Sequence, residues 1–152
     1  MRRFEWVPSF VSDGLTLPQR QTTDAAGYDL AAGETVYIAP GGFALVRTGV
    51  RVQLEVGEFL ALYARSSLAL RRKLMLANGV GVIDRDYYEN PDNGGEIMVA
   101  LWNMGTSVAF IERGDRIAQA VMMPFLITED DHPVKRHRHG GFGSTNASPI
   151  GR

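Results

Sequence analysis

Phe43-Ala44-Leu45-Val46-Arg47-Thr48-Gly49-Val50-Arg51-Val52 alternates apolar and polar residues at several positions and contains β-branched side chains. That is the pattern of a strand with one face buried. Glu58-Phe59-Leu60-Ala61-Leu62-Tyr63 is a similar short piece, and Glu96-Ile97-Met98-Val99-Ala100-Leu101-Trp102 and Arg116-Ile117-Ala118-Gln119-Ala120-Val121-Met122 also read as strands. Seventeen glycines and seven prolines cut the chain into short pieces. Short strands bounded by glycine, proline and asparagine predict an all-β sandwich or barrel. Only Ser66 to Lys73 reads as helical, with Ser66 or Ser67 as cap, and it supplies about two or three turns at most. Alternating strand–helix units are absent, which argues against a doubly wound sheet. From Asp130 onward the periodicity is lost and glycine, histidine and basic residues accumulate. A β domain over residues 1–130 and a C-terminal arm over 131–152 are therefore expected.

The chain has 152 residues, of which 45% are hydrophobic and 22% charged, as in a single domain with one core. No apolar run approaches the roughly 18 residues of a spanning helix. Met1-Arg2-Arg3-Phe4-Glu5-Trp6 has no apolar stretch behind its basic opening, so neither a secretory leader nor a membrane anchor is expected. With no cysteine, thiolate metal sites, disulfides and a cysteine nucleophile are excluded, and a cytoplasmic location is compatible. The net charge of −1 argues against binding long nucleic acid. Positive charge is local, at Arg71-Arg72-Lys73 and Lys135-Arg136-His137-Arg138-His139. Such runs fit either a small polyanion or solvated surface.

Five stretches carry candidate chemistry, each with a plainer alternative. Gly79-Val80-Gly81-Val82-Ile83-Asp84-Arg85-Asp86-Tyr87 fits a hairpin whose amides line a pocket, with Asp84 as general base on a water, or an aspartate-rich turn. Arg65-Ser66-Ser67 at a helix start fits a phosphate site or simple N-capping. His139-Gly140-Gly141-Phe142-Gly143-Ser144-Thr145 fits an anion-binding arm with an aromatic cover, or a flexible tail; it is not a Walker A loop. Asp29, within Ala26-Gly27-Tyr28-Asp29-Leu30, fits a contact to a magnesium-bound water or an ordinary turn acid. Gln119, within Arg113-Gly114-Asp115-Arg116-Ile117-Ala118-Gln119, is an uncharged donor in an apolar strand or a polar side chain facing solvent. The three histidines all lie in the tail without helical metal spacing, so a protein-ligated zinc site is not expected.

In order and spacing these five stretches resemble the five motifs of the trimeric dUTP diphosphatase (dUTPase) family, over a span from about Thr22 to Asn146. Asn78 to Tyr87 is a close match to the third. The resemblance implies a jelly-roll-like distorted β-barrel, the dUTPase-like β-clip, in a homotrimer with shared active sites closed by the C-terminal arm. It implies hydrolysis of dUTP to dUMP and pyrophosphate by water attack on the α-phosphorus, with Mg2+ as cofactor. That reaction limits uracil in DNA and supplies dUMP for dTMP synthesis. Under it Asp84 deprotonates the water. Arg65, Ser66, Ser67 and Gln119 belong to the phosphate site, and Asp29 touches a magnesium-bound water. Asn78 and the backbone of Gly81, Val82 and Ile83 read uracil, while Tyr87 packs on the deoxyribose. Phe142 and Gly143 cover the base, and Ser144, Thr145 and an arginine such as Arg138 hold the terminal phosphates.

Two departures stand out. His137 occupies the position where the family usually has an arginine, flanked by Arg136 and Arg138. Tyr88-Glu89-Asn90-Pro91-Asp92-Asn93-Gly94 lengthens a turn that is often much shorter, and is read as a solvent-facing insertion. Two rival readings remain at this level. One is a dCTP deaminase-like enzyme of the same fold, which uses a glutamate where this chain has the Asp84 stretch. The other is a regulatory nucleotide-binding protein on this scaffold.

Overall fold

The structure, a computed structural model, describes residues 1–134. Eleven strands and one helix follow in order: β1 (Arg3–Trp6), β2 (Tyr28–Ala31), β3 (Val36–Ile38), β4 (Phe43–Arg47), β5 (Val50–Gln53), β6 (Glu58–Tyr63), α1 (Ser66–Arg72), β7 (Leu74–Leu76), β8 (Gly81–Asp84), β9 (Met98–Asn103), β10 (Ala109–Ile111) and β11 (Arg116–Pro124). A single 3-10 turn, Arg85–Tyr87, follows β8. The strands form antiparallel sheets in the orders β2-β11-β6-β8, β4-β9-β7, β1-β5 and β3-β10. Leu30, Val46, Leu60, Leu74, Ile97, Leu101, Ile111 and Ile117 are wholly buried between them. This is the all-β architecture with one short helix that the strand pattern predicts. Among the described residues no helix is long and apolar enough to cross a membrane.

Four expectations require correction. The first is that residues 43–52 form one strand; they form two, in different sheets. Thr48 is buried; its hydroxyl donates to the Ile97 carbonyl (2.6 Å) and accepts from the Val50 N–H (3.2 Å). Gly49 turns the chain at φ +72°, where a Cβ would lie 2.2 Å from the Phe10 ring. Its N–H donates to the buried Glu96 carboxylate at 2.9 Å, which Arg47 also grips at 3.0 Å. This corner lets β4 pair with β9 and β5 with β1. Alternation reports the faces of a strand and is blind to a change of sheet.

The second correction concerns the helix cap. Arg65, not Ser66 or Ser67, holds the extended N-cap position, and it makes no side-chain capping bond. Both serines are already within the helix, so neither hydroxyl is in capping geometry. The helix ends at Arg72, and Lys73 takes the left-handed closing position at φ 55°.

Third, Gly79 to Tyr87 is not a hairpin. β8 pairs with β6 while β7 pairs with β9, so the turn at 77–80 connects two sheets. Fourth, the 88–94 segment is solvent-facing only at Glu89, Pro91 and Asp92. Asn90 is 3% exposed. The Tyr88 hydroxyl donates to Glu5 at 2.7 Å, and the Arg51 guanidinium sits 4.6 Å over the Tyr88 ring. The loop is fastened to the β1-β5 sheet.

Candidate active site

Register builds the first half of the site. Gln119 on β11 faces Asp29 on β2 and Tyr63 on β6, so three side chains form one row on the same sheet face. β6 then runs through Ala64 to Arg65 and Ser66 at the start of α1. Asp29, Tyr63, Arg65, Ser66 and Gln119 line an open cleft of about 410 Å³, walled by Gln21, Ala25, Ala26, Gly27 and Val121.

The chemistry of the cleft is cationic. Arg65 Nε lies 3.0 Å from Asp29 Oδ1, and Arg116 Nη1 lies 3.1 Å from Asp29 Oδ2. Two guanidinium groups against one carboxylate leave a positive balance suited to an anion. Gln119 donates from Nε2 to the Ala64 carbonyl at 3.1 Å, which fixes the amide beside Arg65. Gly27 makes room for it: a Cβ there would stand 2.7 Å from Gln119 Oε1 and 3.3 Å from Gln119 Cβ. Arg20 donates to the Thr23 and Ala25 carbonyls (2.9 and 3.1 Å), shaping the loop that closes one wall. Ser66 is exposed into the cleft, and Ser67 is half-buried behind it.

Arg116, Tyr63 and Gln21 are absent from the residues singled out in the sequence. Arg116 is the instructive case. In a regular strand, residues three apart point to opposite faces, so Arg116 and Gln119 would separate. A register shift between Arg116 and Ala118 breaks the alternation, and both side chains come to Asp29.

The second half of the site sits at the other end of the same sheet face. Asp84 closes β8 opposite Phe59, while Tyr63 faces Gln119 four residues farther along β6. That separation is about 13 Å along the strand, far beyond hydrogen-bond reach. A single chain therefore brings Asp29, Arg65, Ser66 and Gln119 together and holds Asp84 apart from them.

β8 is an edge strand among the described residues, so one side of the Gly81-Val82-Ile83 backbone has no strand partner there. Gly81 lies tight on β6, with its would-be Cβ 3.0 Å from the Leu62 side chain. Asn78 is exposed in the preceding turn, where Gly79 adopts φ +71°. Ile83 packs on the core, and Val82 points outward. Tyr87 is 6% exposed, and its hydroxyl accepts a 2.7 Å bond from Asn93 Nδ2. Arg138, Phe142, Gly143, Ser144 and Thr145 lie outside the described residues.

Among the described residues no group of three histidine or acidic side chains converges as a metal cage. Away from the cleft, the Tyr88 hydroxyl is the chief cause that holds the Glu5 carboxyl below its ordinary value of 4.5, with Arg3 and Arg51 adding to it. The same contact raises the Tyr88 phenol above 10.0.

A β-clip of antiparallel sheets with a cationic cleft at one end and an open backbone edge at the other defines a small-polyanion-binding β protein. The dUTPase family pattern matches residues 13–146, and the chain belongs to the dUTPase family. It is 45% identical over 148 residues to the deoxyuridine 5'-triphosphate nucleotidohydrolase of Lactococcus lactis subsp. lactis (strain IL1403), covering 97% of this chain and 99% of the relative. It is 43% identical over 141 residues to the protein of the same name from Desulfitobacterium hafniense (strain DSM 10664 / DCB-2), covering 87% and 88%. Among solved structures it is similar to the dUTPase from Streptococcus mutans, with TM-score 0.80 and 44% identity over 83% of this chain and 98% of that one. The fold is also shared with a point mutant of the dUTPase from phage phi11 of S. aureus, described as coordinating a structural Mg(II) ion, at TM-score 0.72 and 21% identity over 89% and 97%.

Proposed function

We propose that this chain hydrolyses dUTP to dUMP and pyrophosphate in a homotrimer whose active sites are shared between subunits. The family membership and the nucleotidohydrolase names of its relatives support the reaction. The observation that carries the shared site is the separation of the half-buried Asp84 from the Arg65–Asp29–Gln119 cleft within one chain. A base and the phosphorus that its water attacks must lie within a few ångströms. A neighbouring subunit's β8 edge docked beside this cleft satisfies that requirement.

In this reading Arg65, Ser66 and Gln119 hold non-bridging oxygens of the phosphate chain through a charged guanidinium, a hydroxyl and an amide. Asp84 from the adjoining subunit takes a proton from the water in line with the α-phosphorus, and pyrophosphate departs. Phosphoryl-centre hydrolysis depends mainly on positioning and charge neutralisation, which such an arrangement supplies. The open side of β8, with Asn78, offers backbone donors and acceptors to uracil; the amino group of cytosine would leave some of them unpaired. The donor set fits magnesium, since that ion keeps most of its waters and takes one carboxylate alongside substrate phosphates. Asp29 is the carboxylate lining the cleft, and already paired with two arginines it would accept from a magnesium-bound water. When bound, magnesium supplies charge neutralisation on the phosphate oxygens. Arg138, Phe142, Gly143, Ser144 and Thr145 would close the arm over the nucleotide.

Pyrophosphate release from dUTP, dCTP, dTTP and UTP with magnesium tests this reading, using the native chain and Asp84→Asn. Rapid release from dUTP alone, abolished in the variant, is the expected result. No release from dUTP, with dUTP binding intact, would replace the enzyme with a nucleotide-binding protein.

A further inference from the structure

The insertion after Tyr87 does more than cross the surface. Asn93, near its far end, turns back into it and uses nearly all its polar capacity there. Its Nδ2 donates to the Tyr87 hydroxyl at 2.7 Å and to the Glu96 carbonyl at 3.3 Å. Its Oδ1 accepts from the Gly95 N–H at 3.0 Å, and its own carbonyl accepts from the Glu96 N–H at 3.3 Å. The loop closes tightly on the Tyr87 backbone as well. The Tyr87 carbonyl accepts from the Asn90 N–H at 3.1 Å, and a Cβ on Gly95 would lie 2.6 Å from that carbonyl oxygen. At its other end the loop is anchored by Tyr88 on Glu5 and Arg51.

We infer that Asn93 is a specificity-determining positioning residue, which sets discrimination against ribonucleotides by locking Tyr87 in place. The inference rests on the reading in which the exposed sliver of Tyr87 meets the sugar of the nucleotide. A wall excludes a 2′-hydroxyl only if it cannot retreat. Tyr87 has almost no exposed surface and is pinned at its backbone by the loop and at its phenol by Asn93, so it is such a wall. Freeing the phenol lets the ring tilt and admits the extra oxygen. Loss of one neutral hydrogen bond corresponds to a change of about three- to tenfold in the ratio of dUTP to UTP kcat/KM. The effect falls on UTP acceptance and leaves dUTP kcat nearly unchanged, because Asn93 touches neither Asp84 nor the residues of the phosphate cleft.

The test is a double-mutant cycle on the full chain with magnesium, reading kcat and KM for dUTP and UTP separately. Its members are native, Asn93→Ala, Tyr87→Phe and the double variant, with Tyr87→Leu alongside and thermal melting of each. Asn93→Ala and Tyr87→Phe are each expected to lower the ratio about three- to tenfold, with the double variant no worse than either single one. If Asn93→Ala does not fold, Tyr87→Phe alone carries the test, since it deletes the same bond from the other side. An unchanged ratio in Asn93→Ala or in Tyr87→Phe, with Tyr87→Leu relaxed toward UTP, overturns the inference and keeps the sugar reading of Tyr87. An unchanged ratio in Tyr87→Leu overturns both.

Discussion

Under the proposed function, the two ends of the β2-β11-β6-β8 sheet would recognise the nucleotide by different physics. At the Asp29 end, charged side chains converge from three elements, with Arg65 and Arg116 on one carboxylate and Gln119 beside them. At the Asp84 end, an open backbone edge, a buried tyrosine and a self-bonded loop make a surface of fixed shape. Charge acts over several ångströms and tolerates small displacements; shape and in-line geometry do not. The phosphate end is therefore expected to lose affinity when damaged, and the β8 end to lose rate or selectivity.

Mutations at the two ends should split along that line. The largest effect is expected from Asp84→Asn, which removes the proposed base but keeps the side chain's size: kcat falls by about a thousandfold, within the usual span for general bases, with little change in KM. Steady-state kinetics on dUTP check it, and a change confined to KM would place Asp84 in binding instead. Arg65→Ala should lower dUTP kcat/KM by about a hundredfold, on the scale of truncating one charged partner, and raise KM. Isothermal titration with a non-hydrolysable dUTP analogue would register the lost affinity. A milder test at the same end is Gly27→Ala. Its methyl would stand 2.7 Å from Gln119 Oε1, so the amide must shift. We expect KM for dUTP to rise by roughly threefold to tenfold with kcat little changed, on the scale of one displaced hydrogen bond.

The smallest effect concerns the loop that supports the β8 end. The folded Glu5 carboxyl titrates below its ordinary 4.5, chiefly because Tyr88 donates to its charged form. A depressed folded value means stabilisation that is fully present above about 4.5 and is lost as pH falls through the lower folded value. Tyr88→Phe should thus lower the melting temperature by a few degrees at pH 7 and by progressively less on acidification. An equal loss at pH 7 and pH 3 would assign Tyr88 a packing role alone.

Much of this was legible in the sequence wherever the signal is local. The strands at 58–63 and 116–122 follow from short, mostly apolar runs of strand-forming length, and the cleft residues Asp29, Arg65, Ser66 and Gln119 lie in motif-like stretches. What escaped depends on contacts between distant segments. The Thr48-Gly49 corner needs Glu96, Ile97 and Phe10 in place before it bends. Arg116 reaches Asp29 only through a register shift that alternation cannot anticipate. The loop at 88–94 reads as solvent-facing because it is polar, but its polar groups bond one another and Glu5, Tyr87 and Glu96, partners that composition does not disclose.

The separation of Asp84 from the phosphate cleft is the central claim, and subunit complementation tests it most directly. Asp84→Asn and Arg65→Ala chains, each expected to hold about a hundredth of native activity or less when assayed at dUTP well below KM, are unfolded, mixed in equal amounts and refolded together. If each site takes Arg65 from one subunit and Asp84 from its neighbour, random trimers regain about a quarter of native dUTP hydrolysis, since that fraction of sites pairs two intact residues. No recovery from a mixture shown to form mixed trimers would contradict the account and place both residues of each site on one chain.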